Sequence, residues 1–365
     1  MKVKIQQFLF GKNHSWATVG KEIGRELLKR HHEVHFISTD GLKEEFVDPD
    51  LSPYVRTVPD RHYDLNYSYT APKNFATHLS GNDGFKAGCW NYEWPQIPLT
   101  FVKAILGNTA DTFLPSSKWF YNICLENKIP KEKLTLMPHG INVDNFINAL
   151  PMELKTNKKI KILINVTQLH IRKNLKGTLD AIGQALNKND DVCLVLKVGD
   201  KKPTMAFEVY FSDVFNAFKK KYPNHVECLV LKDYVLNVAS LYKACDILFL
   251  LSHAEAYSLT HAEGLISGHV VFSSKYGGAE DFLTEQNSFL IPGKIVRAPK
   301  ESQYWEPNLF NSHFEPDIKI AAEKLRYCID NFDKVKAEKL SYVTYDVIDS
   351  FRWEKQVDIL EGLVK

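Results

Sequence analysis

The chain lacks any apolar run approaching the ~20 residues a membrane-spanning helix needs. Its amino terminus, MKVKIQQFLFG, is basic but too briefly apolar for a signal peptide and shows no cleavage-like sequence; it reads as a first strand. The six cysteines (Cys89, Cys124, Cys193, Cys228, Cys245 and Cys328) form no CxxC pair, which excludes a zinc site or disulfide framework by spacing and fits reduced thiols in a cytoplasmic protein. Charge is nearly balanced at +2, so bulk electrostatics points to neither nucleic acid nor an acidic partner. There is no internal repeat and no low-complexity tract. The residues that mark G-x-S-x-G hydrolases, Walker A NTPases and G-x-G-x-x-G dinucleotide sites are missing.

What is present is the material of two α/β domains. At roughly 150 residues per domain, a chain of 365 residues suggests two, and 44% hydrophobic residues suffice for sizeable cores. Lys2–Phe10 reads as a strand. Val19, Ile23, Leu27 and Leu28 then mark an amphipathic helix over Trp16–Arg30, and Val34–Ile37 a second strand. Further strands are expected at Val55–Val58, Leu65–Tyr69, Phe85–Trp94, Thr112–Pro115 and Leu134–Pro138, with helices at Phe101–Ile105 and Lys118–Asn127. The lysine-rich, polar Pro151–Lys161 places a boundary there, giving domains over 1–150 and 151–345. Beyond it the alternation restarts. Strands are expected at Ile160–Val166, Val192–Val198 and Val226–Leu231, and helices at Leu175–Leu186, Phe207–Lys221 and Val235–Lys243. Gly293–Asp317 has no clear period but several aromatics, and a loop of that length is uncommon unless functional. Helices at Ile318–Phe332 and Ser350–Leu363 close the chain.

The densest chemistry lies in His253–Gly278, HAEAYSLTHAEGLISGHVVFSSKYGG. It follows the apolar strand Ile247–Leu251 and precedes the strand Val270–Phe272. Glu255 and Glu263 are eight positions apart, flanking a strand-to-helix turn at Tyr257-Ser258-Leu259-Thr260. Leu259 to Glu263 is ~6 Å of helical rise, so the carboxylates flank a helix N-terminus, whose partial positive charge suits a diphosphate.

This segment and its neighbours resemble the retaining glycosyltransferases of the GT-B fold, the group 1 (GT4-like) family. ILINVTQLHIRKN (Ile162–Asn174) is similar to the family's strand and basic loop. Leu241–Ile247 resembles the helix that leads into the next strand, Glu255–Glu263 the E-x7-E signature, and Gly277-Gly278-Ala-Glu-Asp281 the segment after it. Ala110–Ser116 and Pro138–Asn142 match more loosely. The resemblance implies two Rossmann-like α/β domains facing a central cleft, and a terminal helix, 346–365, that crosses back to the first domain. It implies transfer of a sugar from a UDP- or GDP-sugar to a hydroxyl of a glycan, lipid-linked or protein acceptor, as in glycan biosynthesis. No metal or other cofactor and no nucleic acid are implied. A cytoplasmic location, with or without peripheral membrane contact, fits. Glu255 would bind sugar hydroxyls and Glu263 the ribose diol. Tyr257, Ser258 and Leu259 would offer backbone N–H groups. Arg172 and Lys173 would stabilise the leaving diphosphate.

The first domain departs from the pattern. The usual glycine pair of the first loop is absent; Gly11 remains as a place for close backbone approach. Where many members carry a histidine near the transferred sugar, this chain has Tyr92-Glu93, and Glu93 takes that place. His139 is a further candidate. Gln168 stands where an arginine is common, and Arg172 is its expected replacement. Asp48-Pro49-Asp50 is a formal D-x-D in a Pro-rich loop, expected to hold no metal, and His253, His261 and His269 are expected on surfaces or loops. Two other readings stand beside transfer: a catalytically idle nucleotide-sugar-binding scaffold, and an epimerase or phosphorylase on the same fold, the last lacking a recognisable cofactor lysine.

Overall fold

The computed structural model describes residues 1–9, 15–39, 48–107, 109–166, 170–199, 205–233, 235–299 and 311–364. The chain divides into two compact units. One comprises Met1–Asn142 with Ser350–Lys365, the other Val143–Asp349.

The first unit is built on β1 (Lys2–Gln7), β2 (Glu33–Ser38), β3 (Val55–Arg56), β4 (His62–Tyr69), β5 (Asp83–Cys89) and β6 (Thr112–Leu114). They form one parallel sheet in the order β3-β2-β1-β4-β5-β6. The helix Ser15–Lys29 crosses from β1 to β2 with Val19, Ile23 and Leu27 fully buried. The terminal helix Trp353–Gly362 also packs on this helix, with its own Trp353, Val357 and Leu360 buried, and Arg30 ties it through Asp358 and Glu361 at 2.8 and 3.0 Å. The expected strand at Leu134–Pro138 is reduced to a single bridge from Leu134 to Phe113. The strand expected over Phe85–Trp94 stops at Cys89, because its last residues turn into the Pro95 loop.

The second unit repeats the plan. Its strands are β7 (Ile160–Val166), β8 (Val192–Val198), β9 (Glu227–Leu231), β10 (Ile247–Leu250), β11 (Val270–Ser274) and β12 (Ser288–Ile291). Their order is β12-β11-β10-β7-β8-β9, all parallel. Counted from each unit's first strand, both sheets read 3-2-1-4-5-6, the doubly wound arrangement. β7, β8, β10 and β11 are nearly continuous apolar runs, as strands covered on both faces must be. The order reverses between β7 and β10, and ligands of such sheets gather at the carboxyl ends of the strands beside that switch.

Gly293–Asp317 contains an antiparallel pair, β13 (Gly293–Arg297) and β14 (Ser312–Pro316). Neither arm alternates long enough to be read from the sequence: Ile295 and Val296 are adjacent apolar residues in one, and His313-Phe314-Glu315 spans only three positions in the other. β14 docks on the loop after β10, with Phe314 N–H donating to the His253 carbonyl at 3.0 Å.

Candidate active site

The loops after β7 and β10 leave adjacent strands at the switch point, and their polar side chains meet there. After β7, a short 3-10 turn, Ile171–Lys173, presents Arg172 and Lys173. Asn174 ends this turn in the left-handed region at φ 48. Its Oδ1 caps the helix Leu175–Ala185 by accepting from Gly177 N–H at 3.0 Å, and its Nδ2 donates to the Leu251 carbonyl at 2.8 Å. One side chain thus closes the turn, starts the helix and ties the basic loop to the end of β10. The sequence carried the signal, an Asn directly before a helical run.

Glu255, in the loop after β10, is buried and receives three donors. Arg172 Nη1 reaches Oε2 at 3.0 Å, Lys173 Nζ reaches Oε1 at 2.5 Å, and Ser252 Oγ reaches Oε1 at 2.9 Å. Burial pushes the Glu255 carboxyl upward, but Lys173 and Arg172 outweigh it and hold the group at about 2. Arg172 Nη1 also donates to the Ala254 carbonyl at 3.2 Å, and its own carbonyl accepts from His253 N–H at 2.7 Å. Beside it, burial first, then Arg172 and Lys173, lower His170 to about 3, so its ring is neutral.

Glu263 lies on the helix Leu259–Ile266 and is half-buried. Burial raises its carboxyl to about 7 against the opposing effects of a bond from Tyr242 and the charge of Lys173. Tyr242 Oη donates to Oε2 at 2.8 Å. Lys173 therefore acts on both carboxylates of the signature.

The helix that carries Glu263 begins at Ser258, whose φ of 75 is left-handed and whose side chain makes no cap bond. Its hydroxyl is turned to His261 Nδ1 at 2.5 Å, and His261 Nε2 meets the Leu250 carbonyl at 3.0 Å. A carbonyl only accepts, so the proton of this ring sits on Nε2, and Nδ1 accepts from Ser258. The first N–H groups of a helix have no intrahelical acceptor, and at the Leu259 end no side-chain cap from Ser258 supplies one. Tyr257 is buried with its ring 5.6 Å from Phe282, so its contribution to any ligand is its backbone.

Gly277 and Gly278 seat this loop. Gly278 N–H donates to the Glu255 carbonyl at 2.9 Å, and a Cβ on Gly278 would lie 2.0 Å from the Ala256 oxygen.

In the first unit, Glu93 is half-buried in the loop after β5, and its charge acts on Tyr69. Tyr69 Oη and Asn91 Nδ2 approach His139 Nε2 at 3.1 and 2.9 Å, and Ser116 Oγ donates to Asn91 Oδ1 at 2.6 Å. Burial lowers His139 to about 3, so it is a neutral acceptor here. Gly11 and Gln168 lie outside the described residues.

The D-x-D carboxylates are engaged by cations of the chain. Asp48 and Asp50 each accept from Arg25 at 2.7 Å. Of the histidines expected on surfaces or loops, His253 and His269 lie on loops and His261 on the helix Leu259–Ile266; all three are buried, each with a ring nitrogen bonded to a main-chain carbonyl, of Phe314, Leu250 and Tyr242 for His253, His261 and His269 respectively. Among the described residues, two clusters have a metal-ligand composition: Glu33 with His35 and Asp60, and His253 with His313 and Glu315. In the first, the Lys2 ammonium already lies 2.7 Å from Asp60 and 3.1 Å from Glu33. In the second, the two rings are stacked at 4.2 Å and 17°, which aims their lone pairs side by side rather than at one point.

Residues 147–301 match the family model described as Glycosyl transferases group 1, so the resemblance read from the second domain holds. No curated protein matches the chain by sequence. Among solved structures, the chain is similar to a glycosyltransferase from Rickettsia africae, with a TM-score of 0.71 and 17% identity over 100% of this chain and 99% of that one. It is similar to Anabaena HepE in complex with UDP-glucose, with a TM-score of 0.69 and 12% identity over 99% of each chain. It also resembles the sucrose-phosphate synthase of Thermosynechococcus elongatus, at 0.70 and 13% identity over 100% of this chain and 98% of that one. The fold is GT-B.

Proposed function

We propose that this chain, a group 1 glycosyltransferase of the GT-B fold, moves a sugar from a UDP-sugar to an acceptor hydroxyl with retention of anomeric configuration. The observation that carries the reading is the meeting of Arg172, Lys173 and Glu255 at the switch point of the second sheet, beside the helix start that carries Glu263. A nucleotide sugar presents hydroxyls at both ends and a diphosphate between them. The site offers carboxylates at both ends and cations with helix N–H groups between. UDP is favoured over GDP as the nucleotide because HepE, of similar fold, holds UDP-glucose.

As the bond between the sugar's C1 and the phosphate oxygen breaks, negative charge grows on the diphosphate. Arg172 and Lys173 are placed to stabilise it as it develops. Both are bonded to Glu255 here, so donor phosphates would share these cations and free lone pairs of Glu255 for sugar hydroxyls. The N–H groups of Tyr257, Ser258 and Leu259 serve sugar and phosphate. Glu263 accepts from the ribose. Glu93 of the first unit keeps the role of the acceptor-side carboxylate, and Gly11 that of a close backbone approach. The acceptor oxygen attacks the face the phosphate leaves, and its proton passes to the departing phosphate oxygen, so no enzyme nucleophile is used. With two cations supplied by the chain, the step requires no metal. The six cysteines are free, which suits a reducing compartment such as the cytoplasm.

The test is nucleotide release from a panel of UDP- and GDP-sugars with glycan, lipid-linked and protein acceptors. Release with a UDP-sugar is expected. Glu263→Ala should weaken nucleotide binding, whereas Glu255→Ala should reduce turnover more than affinity. Unchanged turnover in both variants would overturn the site. Binding without turnover across the whole panel would favour an idle nucleotide-sugar scaffold.

A further inference from the structure

Glu263 is not held alone. Its Oε2 accepts from Tyr242 Oη at 2.8 Å, and Tyr242 Oη accepts from Asn165 Nδ2 at 3.0 Å. The phenol has one proton to give. Its other neighbour, the Thr260 carbonyl, is farther at 3.4 Å and uncharged, so the proton points at the carboxylate. The direction of the chain is therefore fixed, from the Asn165 amide through the Tyr242 hydroxyl to the Glu263 carboxylate. The tyrosine cannot swing away. It is fully buried, with Phe146 edge-on at 5.5 Å and His269 stacked at 5.5 Å. Asn165 is the penultimate residue of β7, beside the switch point.

The other carboxylate oxygen is in a different situation. No donor among the described residues reaches Oε1, and Glu263 remains half-buried where Tyr242 and Asn165 are buried. One oxygen fixed and one left open is the arrangement of a preset hydroxyl acceptor.

We propose that Tyr242 and Asn165 are positioning residues that hold Glu263 so that its free oxygen accepts one ribose hydroxyl of the nucleotide. This rests on the donor reading above. Tyr242 touches no substrate in this scheme; its effect is exerted through Glu263. It follows that the protein distinguishes ribose from deoxyribose by means of a residue outside the E-x7-E signature.

The experiment is equilibrium binding of the full chain to UDP, or GDP if the wild type prefers it, and to the 2′- and 3′-deoxy counterparts. A charged hydrogen bond of this kind corresponds to roughly tenfold or more, so the wild type is expected to lose that much affinity for at least one deoxynucleotide. Tyr242→Phe keeps the ring and its packing and removes the hydroxyl. It is expected to weaken the ribonucleotide while leaving the deoxynucleotide unchanged, bringing their ratio to about threefold or less. A purely structural tyrosine would shift both equally. Asn165→Ala, which keeps the phenol and removes its donor, is measured in parallel and should narrow the ratio in the same direction, so a poorly folding Tyr242→Phe does not block the test. A ratio unchanged in the folded variants overturns the proposal. A wild type that binds the nucleotide yet ignores both deoxy substitutions also overturns it, while leaving sugar transfer standing. A wild type that binds no nucleotide is instead the failure of the donor reading, and the proposal falls with it.

Discussion

Two carboxylates eight residues apart are driven in opposite directions by their surroundings. Glu255 is buried against two cations and held at about 2, whereas Glu263 is half-buried against a phenol and raised to about 7 from its ordinary value of 4.5. Their effects on stability therefore have opposite signs. For Glu255 the folded value is depressed, so its contribution is present above the ordinary carboxyl range and lost as pH falls through about 2. For Glu263 the folded value is raised, so its contribution is fully present below 4.5 and lost as pH rises through about 7. Thermal unfolding of the wild type is expected to show this loss between pH 5 and pH 8, and Glu263→Gln to flatten it by on the order of 1–3 kcal/mol. If the two profiles have the same slope, Glu263 does not titrate in that window. Glu255→Gln would remove the buried carboxylate charge that Arg172 and Lys173 face, and a cost of about 3 kcal/mol in chemical denaturation is expected.

At the scale of elements, the loop after β10 is shaped by what packs on it. Gly277 sits at φ 96, and a Cβ there would lie 2.5 Å from the Glu255 carbonyl oxygen. At Gly278 the clash would be with main chain at 2.0 Å, which cannot rotate aside. Gly278→Ala is therefore expected to cost about 2–3 kcal/mol and to weaken donor binding, since the loop must move to admit the methyl group. Gly268→Ala is the comparison. Its φ of 83 is also left-handed, but its nearest neighbour is the Leu340 side chain at 4.0 Å. Only backbone strain of about 1–2 kcal/mol is expected there, with binding intact. Equal losses of binding in both variants would show that packing on the loop is not what matters.

The whole molecule returns its terminus to the first unit. Ile141 N–H donates to the Phe351 carbonyl at 2.7 Å, and a Cβ on Gly140 would lie 2.5 Å from the Trp353 ring. Trp353→Ala is expected to lower stability by about 3–5 kcal/mol. Glu263, proposed to accept from the ribose, and Tyr242 and Asn165, proposed to position it, all belong to the other unit. The dissociation constant for UDP should thus stay within about twofold of the wild type while the melting temperature falls. A large loss of UDP affinity in the folded variant would mean that the nucleotide site is not confined to Val143–Asp349.

Much of this was legible in the residues themselves. Apolar runs such as Ile160–Val166 and Val192–Val198 can only be strands covered on both faces, and the spacing of Val19, Ile23 and Leu27 can only bury one side of a helix. Local chemistry of that kind determined the α/β alternation and, through the block around Glu255 and Glu263, the resemblance to the group 1 glycosyltransferases that residues 147–301 bear out. Harder to read were elements whose partner lies far along the chain. Leu134–Pro138 had a strand's composition but found one bridge, and Gly293–Asp317 showed no clear period yet holds an antiparallel pair. Pairing was decided by the tertiary structure alone. β7 and β10 are separated by two strands in sequence, and only the reversal of strand order places them side by side. That reversal puts Lys173 on Glu255 across 82 positions and Asn165 on Tyr242 across 77. Charge, burial and hydrogen bonding act over a few ångströms of space, so the state of each carboxylate was set by neighbours that no local pattern could supply.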